Sequence, residues 1–247
     1  MGYSAVLVDM DGVIIDTQQA ITRFWQNVAR KHNVNLSAHD FAHHIYGCPA
    51  THTLSTLFSH LTVTDKDAVL SEMQRIEAQM TYTAMDGAVP LLDQLQEHAI
   101  PTALVTSADP WKVNAVFSQL PLSGKFTAQV IGTDIERGKP DPDCYLRAAE
   151  LLHARPDRCI VLEDAVSGVR AAAAAGAFCI GVQTDDMAAA LMDAGAKCVV
   201  ADLKQIMLRR GAQPPGGRIC ELVVGTTCTL CLSLRESDAI PHQTGSR

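Results

Sequence analysis

Short, mostly apolar runs recur along the chain at residues 5–8, 102–105, 128–131, 159–162, 178–182 and 197–200. Runs of this length without polar alternation predict strands buried on both faces, as in a parallel sheet. Between the later runs lie amphipathic or alanine-rich stretches near 110–120, 142–152 and 165–175, long enough for right-handed crossover helices. The class is α/β, a Rossmann-like parallel-sheet core, and in such a sheet ligands gather at the carboxyl ends of the strands.

The rhythm breaks once. About 90 residues separate the first two runs, where a crossover needs far fewer. Within 17–83 the apolar positions follow a helical period: Phe24, Val28 and His32, then Leu54, Leu57 and Phe58, then Val69, Met73, Ile76 and Met80. This predicts a small helical cap domain inserted at 17–83, with the core formed by 1–16 and 84–224. Both junctions fall at the end of one strand, where a lid over a strand-end site would attach. A structural appendage is the alternative. Toward the C-terminus the pattern predicts a helix over 203–209, a breaker cluster at 211–217 and a β-like run at 219–224. The final segment, 225–247, shifts to Thr, Ser and Cys and reads as a loosely ordered tail.

The 247 residues are 47% hydrophobic and 19% charged, which excludes a disordered or collagen-like chain. A net charge of −7 gives no reason to expect nucleic acid or an anionic membrane surface as a partner, so any anion must be captured locally. The first apolar run ends in an aspartate, which is unlike a signal peptide, and no later run is long enough to cross a bilayer. The expected compartment is the cytoplasm. Eight cysteines, at 48, 144, 159, 179, 198, 220, 228 and 231, are scattered through mostly apolar segments and read as buried thiols. Cys228-Thr-Leu-Cys231 is a single C-x-x-C pair, too few ligands for a structural zinc.

Candidate chemistry sits where four of the runs end. Asp9-Met10-Asp11-Gly12 leaves the first with two carboxylates and a glycine that permits a tight turn. Such a pair repels itself unless a divalent cation or a retained proton relieves it, although a surface turn would look the same. The second run ends in Thr106-Ser107, hydroxyls suited to an anionic oxygen or to a helix N-cap before Pro110. After the third, Gly138-Lys139-Pro140-Asp141-Pro142 frames one lysine in a rigid loop. The fourth ends in Glu163-Asp164, acids that could also favour the start of the following helix.

Two carboxylates, a hydroxyl, a lysine and two further carboxylates, in this order, resemble the haloacid dehalogenase superfamily across roughly residues 4–200. The resemblance implies an aspartyl-phosphate mechanism with magnesium. Asp9 would be the nucleophile and Asp11 the general acid/base. Gly12, Thr106, Ser107 and Lys139 would bind the substrate phosphate, and Asp9, Asp11, Glu163 and Asp164 would form the metal site. Asp11 argues for phosphoryl chemistry, because dehalogenases usually lack the second aspartate. The helical insertion resembles the cap of the branch that holds β-phosphoglucomutases and sugar-phosphate phosphatases. The mutases carry a histidine four residues after the cap-start threonine, and here that position is Ile21, which favours a phosphatase. Segments 102–108, 131–134, 138–143 and 161–168 look most like 2-deoxyglucose-6-phosphate and glycerol-3-phosphate phosphatases. Around Gly47-Cys48-Pro49-Ala50, however, the arginine of many relatives is missing. The expectation is a monomeric magnesium-dependent hydrolase of a small sugar or polyol phosphate. A phosphosugar mutase and a catalytically silent module on the same fold are the alternatives. His43, His44, Tyr46, His52, Arg75 and Gln79 are the polar cap residues that could face the substrate, although neighbours such as His43 and His44 point about 100° apart on a helix and do not easily share one ion.

Overall fold

The computed structural model describes residues 2–211, 217–226 and 228–235. Strands β1 (Ala5–Val8), β2 (Thr102–Val105), β3 (Ala128–Val130), β4 (Cys159–Glu163), β5 (Phe178–Val182) and β6 (Cys198–Val200) form a six-stranded parallel sheet in the order β3-β2-β1-β4-β5-β6. Strands β1, β2 and β4 are buried along their whole length because the sheet is covered on both sides. On β1, Val6 and Val8 join one core cluster and Ala5 and Leu7 the other, as the two-residue repeat of a strand requires. The strand order reverses at β1, whose neighbours are β2 and β4, so the crevice for a ligand opens beyond the end of β1.

Between β1 and β2 the chain forms α1 (Gln18–Lys31), α2 (Ala38–Asp40) running into a wide helical turn at Phe41–Ile45, α3 (Ala50–Leu57), α4 (Val63–Glu77) and α5 (Ala88–Glu97). The helices of this insertion close around a third apolar cluster that includes Phe24, Trp25, Val28, Leu54, Phe58 and Val69. Trp25 stacks on Phe58 with ring centroids 5.7 Å apart. Helix α5 belongs instead to the sheet, where Leu91, Leu92 and Leu95 pack with α6 (Pro110–Gln119) against the Val6 face. Helices α7 (Asp143–Leu151), α8 (Val166–Ala174) and α9 (Asp185–Ala194) cover the Ala5 face.

The C-terminal third corrects the sequence reading in two places. The expected helix over 203–209 is one tight turn at Leu203–Gln205 followed by β7 (Ile206–Arg210). The expected loose tail contains β9 (Cys228–Arg235), which pairs antiparallel with β8 (Gly217–Val224) to complete a sheet in the order β7-β8-β9. The missed signal is a strand alternation, with Leu230 and Leu232 buried and Thr229, Cys231 and Ser233 at the alternate, more exposed positions. The Tyr3 amide donates to the Cys231 carbonyl at 2.7 Å and the Ser233 amide to the Tyr3 carbonyl at 2.7 Å, tying β9 to the start of the chain. Cys228 and Cys231, three residues apart on a strand, project to opposite faces and cannot share a ligand. Residues 236–247 of that expected tail lie outside the described residues. Leu232 is fully buried, so Leu232→Ala should cost about 2–5 kcal/mol in a denaturant titration. A value within about 0.5 kcal/mol of zero, as at exposed sites, would show that β9 is not part of the core.

Candidate active site

The four predicted stations converge beyond the carboxyl ends of β1, β2 and β4. Asp9, Thr106, Lys139, Glu163 and Asp164 are all buried, whereas Asp11 is half-buried at the cavity wall. Two glycines make this packing possible. Gly12 has φ +78°, and a Cβ there would stand 1.9 Å from Asp164 Oδ2. A Cβ on Gly168 would stand 1.7 Å from Glu163 Oε1.

Lys139 is the central cation. Its Nζ donates to Asp9 Oδ1 at 2.5 Å, to Glu163 Oε1 at 2.6 Å and to the Val105 carbonyl at 3.4 Å. Glu163 is fully engaged: Oε1 also accepts from the Tyr145 hydroxyl at 2.8 Å, and Oε2 accepts from the amides of Asp164 and Ala165 at 3.0 and 3.1 Å. It therefore builds the turn and orients Lys139 rather than capping α8, whose N-cap is Ala165.

The charge balance of the cluster is negative. Asp9, Glu163 and Asp164 place ligand atoms within 4.8 Å of one another, against one ammonium. Burial pushes Asp9 up to about 7, with Lys139 pulling it down and Glu163 and Asp11 pushing it up. Burial, then the charges of Glu163 and Asp9, push Asp164 well above the usual carboxylate range. Burial alone would lower Lys139, yet its carboxylate partners hold it above its ordinary value. All-oxygen donors in negative excess suit a hard divalent cation such as Mg²⁺.

Above the cluster lies a cavity of about 680 Å³. Asp9, Asp11, Thr106, Ser107 and Gly138 line it from the sheet side, and Trp25, Pro49, Asp67 and Gln74 from the inserted helices. Ser107 Oγ is buried without a hydrogen-bond partner among the described residues, so it is free to donate to a ligand. Thr106 Oγ1 accepts from the Ala108 amide at 3.1 Å, and the N-cap of α6 is Asp109, so neither hydroxyl caps that helix.

None of His43, His44, Tyr46, His52, Arg75 and Gln79 lines the cavity. His44 faces His52 across 3.4 Å, and the Tyr46 hydroxyl is 2.8 Å from Thr22 Oγ1. The sequence reading also missed Lys112, Glu77, Thr17 and Tyr145. Lys112 Nζ donates to Asp11 Oδ1 at 2.8 Å and to Glu77 Oε1 at 2.9 Å, and Thr17 Oγ1 donates to Asp11 Oδ1 at 2.6 Å. Burial would lower the Lys112 pKa, but the charges of Asp11 and Glu77 outweigh it and raise it. The carboxylate of Asp11 thus belongs to this second network and not to the Asp9–Glu163–Asp164 group. No local signal marks Lys112, because its partners lie 101 and 35 residues away in the chain.

A model of haloacid dehalogenase-like hydrolases matches residues 3–176. Hexitol phosphatase A of Escherichia coli is 36% identical over 186 residues, covering 74% of this chain and 84% of that enzyme. 2-Deoxyglucose-6-phosphate phosphatase 2 of Saccharomyces cerevisiae is 31% identical over 218 residues, covering 81% of this chain and 88% of that enzyme. Among solved structures, a hydrolase from Pseudomonas syringae superposes with a TM-score of 0.68 at 26% identity, covering 81% of this chain and 94% of that one.

Proposed function

Because the chain belongs to the haloacid dehalogenase-like hydrolases, we propose that it is a magnesium-dependent phosphatase that releases phosphate from a small sugar or polyol monoester. The observation that carries this reading is that Asp9 and Asp11 open onto one cavity whose far wall is the inserted helical unit. We read residues 17–83 as a cap that encloses the leaving group and 84–224 with 1–16 as the catalytic core. The pairing of β9 with β8 extends that core beyond 224.

In the first half-reaction an Asp9 oxygen attacks phosphorus in line while the bond to the leaving alkoxide breaks, giving an aspartyl-phosphate. Lys139 fixes Oδ1 of Asp9 and neutralises charge on the transferring group. Ser107 and Thr106 meet the phosphoryl oxygens, Ser107 through its otherwise unpartnered hydroxyl; Gly12, whose missing side chain makes room for the Asp164 carboxylate, contributes at most its backbone amide. Asp11 delivers a proton to the leaving oxygen. In the second half it accepts one from the water that attacks phosphorus and returns Asp9 to its carboxylate. Asp9 and Asp164 would hold Mg²⁺ directly and Glu163 from one step back, since both its oxygens are engaged; the ion supplies positive charge against the acids and the phosphate dianion.

Ile21 lines the cavity, where an apolar side chain supplies no acid/base group, and this supports hydrolysis over mutase chemistry. All eight cysteines are free, which suits a reducing compartment such as the cytoplasm. Among the described residues no helix is long and apolar enough to cross a membrane.

The test is phosphate release from a panel of hexitol phosphates, sugar phosphates and nucleotides, with Mg²⁺ and after chelation. Release from small esters that chelation abolishes is the expected result. No release from any ester would leave the silent-module alternative, and isomerisation of glucose 1-phosphate with a bisphosphate primer would leave the mutase. Pro49 and Ala50 line the cavity where many relatives place an arginine. Ala50→Arg or Pro49→Arg should therefore add a bidentate contact and sharpen the ranking of sugar phosphates by about tenfold. Two folded variants with the parent's ranking would show that this loop does not select the substrate.

A further inference from the structure

Lys112 is an internal lysine that the proposed chemistry does not yet use. It stands on α6, is 6% exposed, and its ammonium reaches the loop after β1 and the last residue of α4 at once. Its bond to Asp11 meets the same oxygen, Oδ1, that accepts from the Thr17 hydroxyl. Asp11 Oδ2 has no hydrogen-bond partner among the described residues, and Asp11 lines the cavity.

We propose that Lys112 is a positioning residue for proton delivery, pinning one oxygen of Asp11 so that the other is presented to the leaving-group oxygen. Rotation about the terminal Cβ–Cγ torsion can turn either carboxylate oxygen of an aspartate toward substrate. Two donors converging on Oδ1 remove that freedom, and one of them is charge-assisted, roughly twice as strong as a neutral hydrogen bond. Glu77 completes the device. A lysine stem is flexible, and a second carboxylate 2.9 Å from Nζ fixes the ammonium in place and balances its charge. Three elements distant in sequence are thereby locked to the geometry of one acid.

The inference rests on the phosphatase reading and predicts a dependence on the leaving group. A sugar or polyol alkoxide needs a proton in order to leave, whereas p-nitrophenolate leaves without one. With sorbitol 6-phosphate, Lys112→Met should lower kcat by about 100-fold, the scale of a misplaced catalytic group, with KM changed less than about twofold. The pre-steady-state burst of p-nitrophenol from p-nitrophenyl phosphate should stay within about threefold of wild type, because phosphoryl transfer to Asp9 is intact. Lys112→Arg, which keeps the charge and two donors, should recover part of the loss. If Lys112→Met does not fold, Lys112→Gln, which keeps a donor without the charge, should show the same split.

Equal losses on both substrates would assign Lys112 to general structure and overturn the proposal, as would wild-type kcat on sorbitol 6-phosphate in a folded Lys112→Met. In either case the phosphatase reading survives. A wild-type protein inactive on every ester would overturn both.

Discussion

Asp9→Asn should abolish turnover, by at least about 10⁴-fold, while leaving the chain folded and no less stable. Asparagine keeps an oxygen for the Lys139 ammonium but cannot attack phosphorus to form the acyl phosphate. The stability half of the expectation comes from burial. Asp9 is a buried carboxylate pushed up to about 7, so the folded state holds it under strain that a neutral amide relieves. Phosphate release and thermal unfolding on the same sample check both halves. A mutant that turns over at the wild-type rate would end the aspartyl-phosphate mechanism. A mutant that unfolds would show that Asp9 is chiefly structural.

Lys139→Met should destabilise the protein by about 3–5 kcal/mol and abolish activity as well. Removing one member of a buried ion group leaves its partners uncompensated. Asp9 and Glu163 would lose the ammonium that stands 2.5 and 2.6 Å away. Glu163 retains the Tyr145 hydroxyl and two amides, so the larger penalty falls on Asp9. The double variant with Asp9→Asn should therefore recover part of the stability, and none of the activity. Denaturant midpoints for the two single variants and the double variant provide the check. Additive losses would mean that Asp9 and Lys139 do not depend on each other.

The stations of the site were legible because each is a contiguous stretch at the end of an apolar run. Asp9-Met10-Asp11-Gly12 follows β1 directly, Thr106-Ser107 follows β2 and Glu163-Asp164 straddles the end of β4. A parallel sheet brings such ends together whatever the details of the helices. Lys112 carries no such mark. In the sequence it is one lysine in Pro110-Trp111-Lys112-Val113, indistinguishable from a solvated helical residue, and only the packing of α6 beside the loop after β1 turns it inward. The inward side of the inserted helices was not legible for a similar reason. Helical periodicity located the cluster of Phe24, Val28, Leu54 and Val69, but it left open which polar residues face the cavity; none of the six candidates lines it, while Asp67 and Gln74 of α4 do. A periodic pattern marks the face that packs internally and does not distinguish, within the polar face, the part that looks toward the core.

The sequence by itself determined the parallel sheet, the place of the insertion and the identity of the strand-end carboxylates, because local apolar runs and their immediate successors carry that information. Tertiary structure decided the rest. It placed Leu230 and Leu232 of β9 in the main apolar cluster, against a composition that reads as loose, because pairing with β8 gives the strand both hydrogen bonds and a buried face. It divided five acids into two groups, Asp9, Glu163 and Asp164 clustered together with Lys139 paired to the first two, and Asp11 with Glu77 around Lys112. That division depends on which cation each carboxylate meets in space, a distance that sequence separation does not encode.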